Sequence, residues 1–136
     1  MTLKTGTLSG GFSNRPEIIT TVYDFTADTG ATGVYVMTPA AGEDLIVKLL
    51  GIRVDTALSS GGSMTLSVGN SDSAAAYVTT EAVASFGLNL FLAPEDVSTG
   101  IRGFVKLASG STLDMSIIDA TLLTGKMTFF WEVMKF

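Results

Sequence analysis

The chain has 136 residues, a net charge of −5, 15 % charged residues, and neither histidine nor cysteine. Lack of histidine removes the usual proton shuttle and commonest metal ligand; lack of cysteine removes disulfides, thiolate nucleophiles and soft-metal ligands. Most zinc, copper and haem centres and most triad-type hydrolases are thereby excluded, and the acidic balance (pI ≈ 4.4) disfavours nucleic acid, which is bound mainly through Lys and Arg.

Residues 1–16 differ from all that follows, being small, polar and without sustained periodicity. They read equally as a frayed terminus or as an extended arm anchored by Leu3, Leu8 and Phe12, with Arg15 at its inner end. Fully stretched, such an arm reaches ~50 Å at about 3.3 Å per residue. Residues 17–136 read as one domain built from strands.

Residues 18–27 are β-branched and aromatic, suited to a pleated, half-buried surface. A glycine turn at 28–33 leads to a short strand at 34–38 stopped by Pro39, then to a loop at 40–44. Residues 45–58 form the longest strand. Its Ile46, Leu50, Ile52 and Val54 share one parity and its Val47 and Leu49 the other, so its first half is apolar on both sides and is central or covered. A Ser/Gly turn at 59–63 is expected to fold it as a hairpin onto 64–69, where Met64, Leu66 and Val68 face inward and Thr65 and Ser67 outward.

After a polar turn at 70–73, residues 74–92 are ambiguous, since alanines permit a helical turn while Tyr77–Thr80 and 86–92 favour strand or ordered loop. Strands follow at 101–107 and 112–119, the latter with Leu113, Met115 and Ile117 inward. The last strand, 126–136, turns Met127, Phe129, Trp131 and Val133 to one side and Thr128, Phe130, Glu132 and Met134 to the other. The expected fold is all-β: a jelly-roll β-sandwich of about eight antiparallel strands with an extended N-terminal arm, an immunoglobulin-like sandwich being second.

Mean hydropathy is +0.44, and 15 % charge compares with about 25 % in typical domains. The longest apolar run, 45–54, is broken by Lys48 and Arg53 and falls short of the ~20 residues that span a bilayer. The first seven residues lack the apolar stretch of a signal peptide. The apolar surplus is therefore expected to be covered by other subunits. Phe130 is the residue to watch, since it opposes Phe129 in parity and needs cover on the far side, as does Met134. The eight basic residues are scattered along the sequence and form no stripe.

Carboxylates are the remaining acid–base candidates. Glu43-Asp44 and Glu95-Asp96 are adjacent in loops rather than facing across a cleft, so they read as solvated. Asn70, Asp72, Asp24 and Asp28 are the nearest thing to calcium ligands, but without the spacing of a calcium loop they read as turn caps. Trp131 or Tyr77 would be the platform of a sugar-binding module, although mid-strand Trp131 fits a core better. The paired glycines lack the context of a phosphate loop. No catalytic residue, metal or cofactor is expected.

Residues 52–58 (IRVDTAL), 64–70 (MTLSVGN) and 119–133 (DATLLTGKMTFFWEV) resemble segments of small virion proteins of tailed bacteriophages, a class that includes capsid decoration (cement) proteins. The resemblance lies in strand ends and turns. It implies a jelly-roll protomer on the virion surface, made in the host cytoplasm, that trimerises and clamps the major capsid protein without catalysis. Leu3, Leu8, Phe12, Arg15, Phe130 and Met134 would be its contacts. The alternative is a carbohydrate- or receptor-binding module of a head or tail appendage.

Overall fold

Period-two alternation along the second half of the chain builds the core directly. In the computed structural model, which describes residues 15–38, 40, 42–88, 91–93 and 103–136, Met127, Phe129, Trp131 and Val133 are all buried on one face of the last strand. Leu113, Met115 and Ile117, and Met64, Leu66 and Val68, are buried opposite them as their alternation predicts. Each large apolar side chain so buried is worth ~1.5–3 kcal/mol relative to exposure.

The described strands are β1 (Glu17–Asp24), β2 (Gly33–Val36), β3 (Leu45–Ser60), β4 (Thr65–Asn70), β5 (Ser73–Ala82), β6 (Phe91–Leu92), β7 (Val105–Leu107), β8 (Leu113–Ile118) and β9 (Leu122–Lys135), with one helical turn, α1 (Phe25–Asp28). They form two antiparallel sheets packed as an all-β sandwich. The larger has the order β1-β9-β3-β6, with β7 also pairing β3; the smaller has the order β2-β8-β4-β5. The arm with Leu3, Leu8 and Phe12 lies outside the described residues.

Trp131 is the centre of the core. Its ring meets Tyr77 edge-on at 5.2 Å and stacks near Phe129 at 6.2 Å. Its indole N–H donates to Thr21 Oγ1 at 3.0 Å, which satisfies the one polar atom that burial would otherwise strand.

Three expectations are corrected. The run at 18–27 ends as a strand at Asp24, whose carboxylate accepts from Thr26 N at 3.0 Å while Asp28 Oδ2 accepts from Asp24 N, together capping α1. The turn at 59–63 is a corner between sheets, not a hairpin, because β3 pairs with β9, β6 and β7 while β4 pairs with β8 and β5. Gly61 N donates to Thr121 O there, tying the corner to the approach of β9. The single parity assigned to β3 also breaks. Leu45, Val47 and Leu49 face the core before a bulge that makes Leu50 the extra residue, and Ile52 and Val54 face it afterwards.

The ambiguous stretch resolves into the long strand β5 followed by a 3-10 turn at Val83–Ser85. In β4, Ser67 was expected outward and does occupy the outer parity, yet it is buried. A Cβ on neighbouring Gly69 would lie 2.1 Å from Ser73 O, so β5 backbone presses onto this part of the sheet.

Candidate interaction face

The outer surface of the larger sheet is assembled in rows across β1, β9 and β3. One row joins Ile18, Glu132 and Lys48; the next joins Thr20, Phe130 and Gly51; a third joins Val22, Thr128 and Arg53. Near the start of β3, Met134 lies opposite Ile46, which also pairs with Lys106 on β7. Phe130 and Met134 are each half-buried on this surface, and Arg15, exposed, immediately precedes β1.

Phe91 completes the surface. It pairs with Arg53 at the β6–β3 junction, lies over Gly51, and packs its ring 5.4 Å from that of Phe130. Half of Phe91 remains open (51 %), as does most of Ile18 (66 %). Phe104 and Phe136 add two more exposed rings. Singly exposed apolar side chains are ordinary on a protein surface, whereas the Phe91–Phe130 pair puts two aromatic rings in contact on this one.

Cations sit on these rings. The Arg53 guanidinium is 5.4 Å from the Phe130 centroid, Lys48 Nζ is 5.9 Å from Phe104, and Lys106 Nζ is 4.5 Å from Phe136. Arg53 also pairs with Asp55, whose second oxygen accepts from Thr128 Oγ1 at 2.6 Å. Burial works to raise the Asp55 carboxyl, but the bonds from Thr128 and Arg53 outweigh it and hold the group below the ordinary carboxylate range.

Among the described residues, the cations that are scattered in sequence are gathered by the topology on the larger sheet, alongside the acidic Glu17, Asp24, Asp55 and Glu132. Lys48, Arg53, Lys106, Lys126 and Lys135 lie on strands of the larger sheet and Arg15 at its entry. The strands of the smaller sheet carry Glu81 and Asp114 and no basic residue, and the turn and strand end beside them add Asp72 and Asp119. Antiparallel pairing brings together residues tens of positions apart, so linear spacing gave no sign of this segregation.

On the smaller sheet Ser67 faces Ser116 across β4 and β8, and both are buried. Ser116 Oγ has no hydrogen-bond partner. Asp114 is also buried, accepting from Thr112 Oγ1 at 2.8 Å, and burial pushes its carboxyl up despite that bond. Beside them Val34, opposite Ser116 on the edge strand β2, is 58 % exposed.

The other candidates fall into place as structural groups. Asn70 Oδ1 accepts from Asp72 N and Ser73 N at 3.0 and 2.8 Å, capping the β4–β5 turn. Asp44 accepts from Ser109 N and lies 3.7 Å from Lys106 Nζ; Glu43 lies 4.0 Å from Lys135 Nζ. Glu95 and Asp96 lie outside the described residues. No cluster of three or more Asp or Glu able to hold a metal occurs among the described residues. Trp131 and Tyr77 are wholly buried, so neither is available as a sugar platform. A cleft of about 420 Å³ at the β3–β4 corner is lined by Ser60, Gly62, Ser63, Met64, Thr65, Ala82 and Val83, none of them charged or aromatic.

Phe91, Ile18 and Phe104 are absent from the residues that alternation singled out. Gly51 was the available signal, since a glycine inside a strand marks a bulge or a close approach. Compared with protein-family models, curated proteins and solved structures, the chain matches none of them.

Proposed function

We propose that this chain is a structural virion protein that binds the outside of a phage capsid as an oligomer, a trimer, and stabilises the shell by bridging major capsid subunits. The observation that carries the reading is the outer surface of the larger sheet, where Ile18, Phe91 and Phe130 stay open or half-open in a chain with little charge. Such a surface serves protein contact better than turnover. The sequence resemblance to capsid decoration proteins supplies the partner.

A jelly-roll reading of the sandwich draws on strand order. The chain crosses between sheets at every step except from β4 to β5 and from β6 to β7, and late strands lie between early ones, β9 between β1 and β3 and β8 between β2 and β4. Nested Greek keys produce that interleaving. Fold alone does not give function, so the surface bears the argument. Multivalency provides the strength: once one subunit of a trimer engages, the others bind at high effective concentration, raising avidity by ~10²–10⁴.

The test is co-sedimentation of the purified chain with empty expanded heads of the cognate phage. Saturable binding at a fixed ratio to capsid subunits, with a higher temperature of shell disruption, is expected. Chain left in the supernatant at every concentration overturns the reading. The glycan-binding alternative is not advanced, because both aromatic residues on which it rested are in the core.

A further inference from the structure

We infer that the outer edge of β3 at Ile52 and Arg53, with the slot over Gly51, is a recognition site for an extended segment carrying an aromatic side chain, and that β6 is its resident occupant, displaced when a partner supplies such a segment. The inference goes beyond the reading above and holds whether or not that partner is a capsid.

The chain's own β6 shows what the site takes. Leu92 pairs with Ile52 and Phe91 with Arg53, antiparallel to β3. The Phe91 ring enters the space that Gly51 leaves, where a Cβ would lie 2.3 Å from its Cε1. Phe130 walls this slot, its ring centroid 5.4 Å from that of Phe91 and the two planes 58° apart. Strand addition of this kind draws affinity from main-chain hydrogen bonds and selectivity from side-chain pockets along the edge. The edge and the pocket are side by side here.

The resident strand is held by little. β6 has two residues, the fewest of any described strand, against three in β7, which shares the same edge of β3. Leu107 of β7 is wholly buried, whereas Phe91 is 51 % exposed and Leu92 half-buried. Segments with few buried apolar groups and few ladder pairs open locally while the rest of the fold stays closed. An incoming segment also has more to gain. Among the described residues no strand pairs this edge of β3 from Val54 to Ser60, so a partner strand longer than β6 adds ladder bonds that β6 leaves unmade.

The experiment uses the full-length chain and a fluorescein-labelled peptide of residues 88–94 (LNLFLAP), with the same peptide carrying alanine for phenylalanine as control. Fluorescence anisotropy reads binding. Phe91→Ala empties the slot and is expected to bind the peptide at least ~10-fold more tightly than the wild type, whose own β6 leaves the site open only part of the time. The alanine peptide should bind neither protein. Gly51→Ala added to Phe91→Ala fills the slot with a methyl group and should abolish binding. Unchanged far-ultraviolet circular dichroism verifies folding, and Phe91→Leu, which also withdraws the ring, replaces a Phe91→Ala that misfolds. In the wild type, amide hydrogen exchange read by mass spectrometry should be faster in the fragment holding Phe91 and Leu92 than in fragments of β9.

Equal affinity of the wild type and Phe91→Ala, or no binding by either, overturns the displacement. Equal affinity for the two peptides, or binding that survives Gly51→Ala, overturns the slot. A β6 fragment that exchanges as slowly as β9 overturns the inference even if every variant misfolds. Peptide binding by a chain that ignores phage heads supports this inference and removes the capsid reading alone, and shell binding without peptide binding does the reverse.

Discussion

The Phe91 ring lies directly over Gly51. A Cβ at position 51 would sit 2.3 Å from Phe91 Cε1 and 2.4 Å from Cζ, so the ring occupies the space that only glycine leaves open. That seat holds β6 to β3 and completes the aromatic pair with Phe130.

Gly51→Ala is therefore expected to expel the ring and lower stability by about 1–2 kcal/mol, the scale of an overpacked site. The sign should reverse in a Phe91→Ala background, where alanine no longer clashes and the strand loses the entropic cost of glycine, about 0.5–1 kcal/mol. Urea denaturation of the four proteins of this double-mutant cycle checks both signs.

Thr21→Val keeps the shape of the side chain but takes the acceptor from Trp131 Nε1 in a buried site. A loss of about 1–3 kcal/mol is expected, the cost of a stranded donor. Adding Trp131→Phe to Thr21→Val should cost less than its effect in the wild type, since the unmet N–H is then gone. Tryptophan fluorescence and thermal unfolding follow the single variant, and circular dichroism follows the double.

Asp114 and Asp55 should respond to pH with opposite signs. Burial raises Asp114 in the folded state, so its favourable contribution is full below the unfolded carboxylate value and is lost as pH rises through the folded one. Asp114→Asn is expected to stabilise at pH 7 and to lose that advantage towards pH 3.

Asp55 is held low by Thr128 and Arg53. Its contribution is present above the unfolded value and lost as pH falls through the folded one. Asp55→Asn should destabilise at pH 7 and approach the wild type in acid. Chemical denaturation at a series of pH values measures both variants, and parallel curves for the two would contradict the assignment.

Local alternation was legible wherever a strand has one buried face and no irregularity. Met64, Leu66 and Val68, then Leu113, Met115 and Ile117, then the inner residues of β9, all point where period two sends them. β3 was misread at Gly51 because one inserted residue inverts every side chain beyond it, and the bulge depends on how β9 pairs, not on the sequence of β3 alone. The hairpin at 59–63 failed for a similar reason: a Ser/Gly turn permits a reversal within one sheet and a corner between two equally well.

The candidate surface was legible only in part. Phe130 and Met134 were visible as outward residues of β9, whereas Phe91 falls in a stretch whose pattern is ambiguous and is placed by its contact with Gly51. Composition and short-range periodicity, which need nothing beyond neighbouring residues, determined an all-β chain without imidazole or thiol chemistry and named most of its core. Pairing between distant strands decided the two sheets, the corner, the bulge and the gathering of cations on one side. The reason is physical: side-chain alternation is set by backbone geometry within a strand, while partners and register are set by which buried faces and hydrogen-bonding edges can be satisfied together.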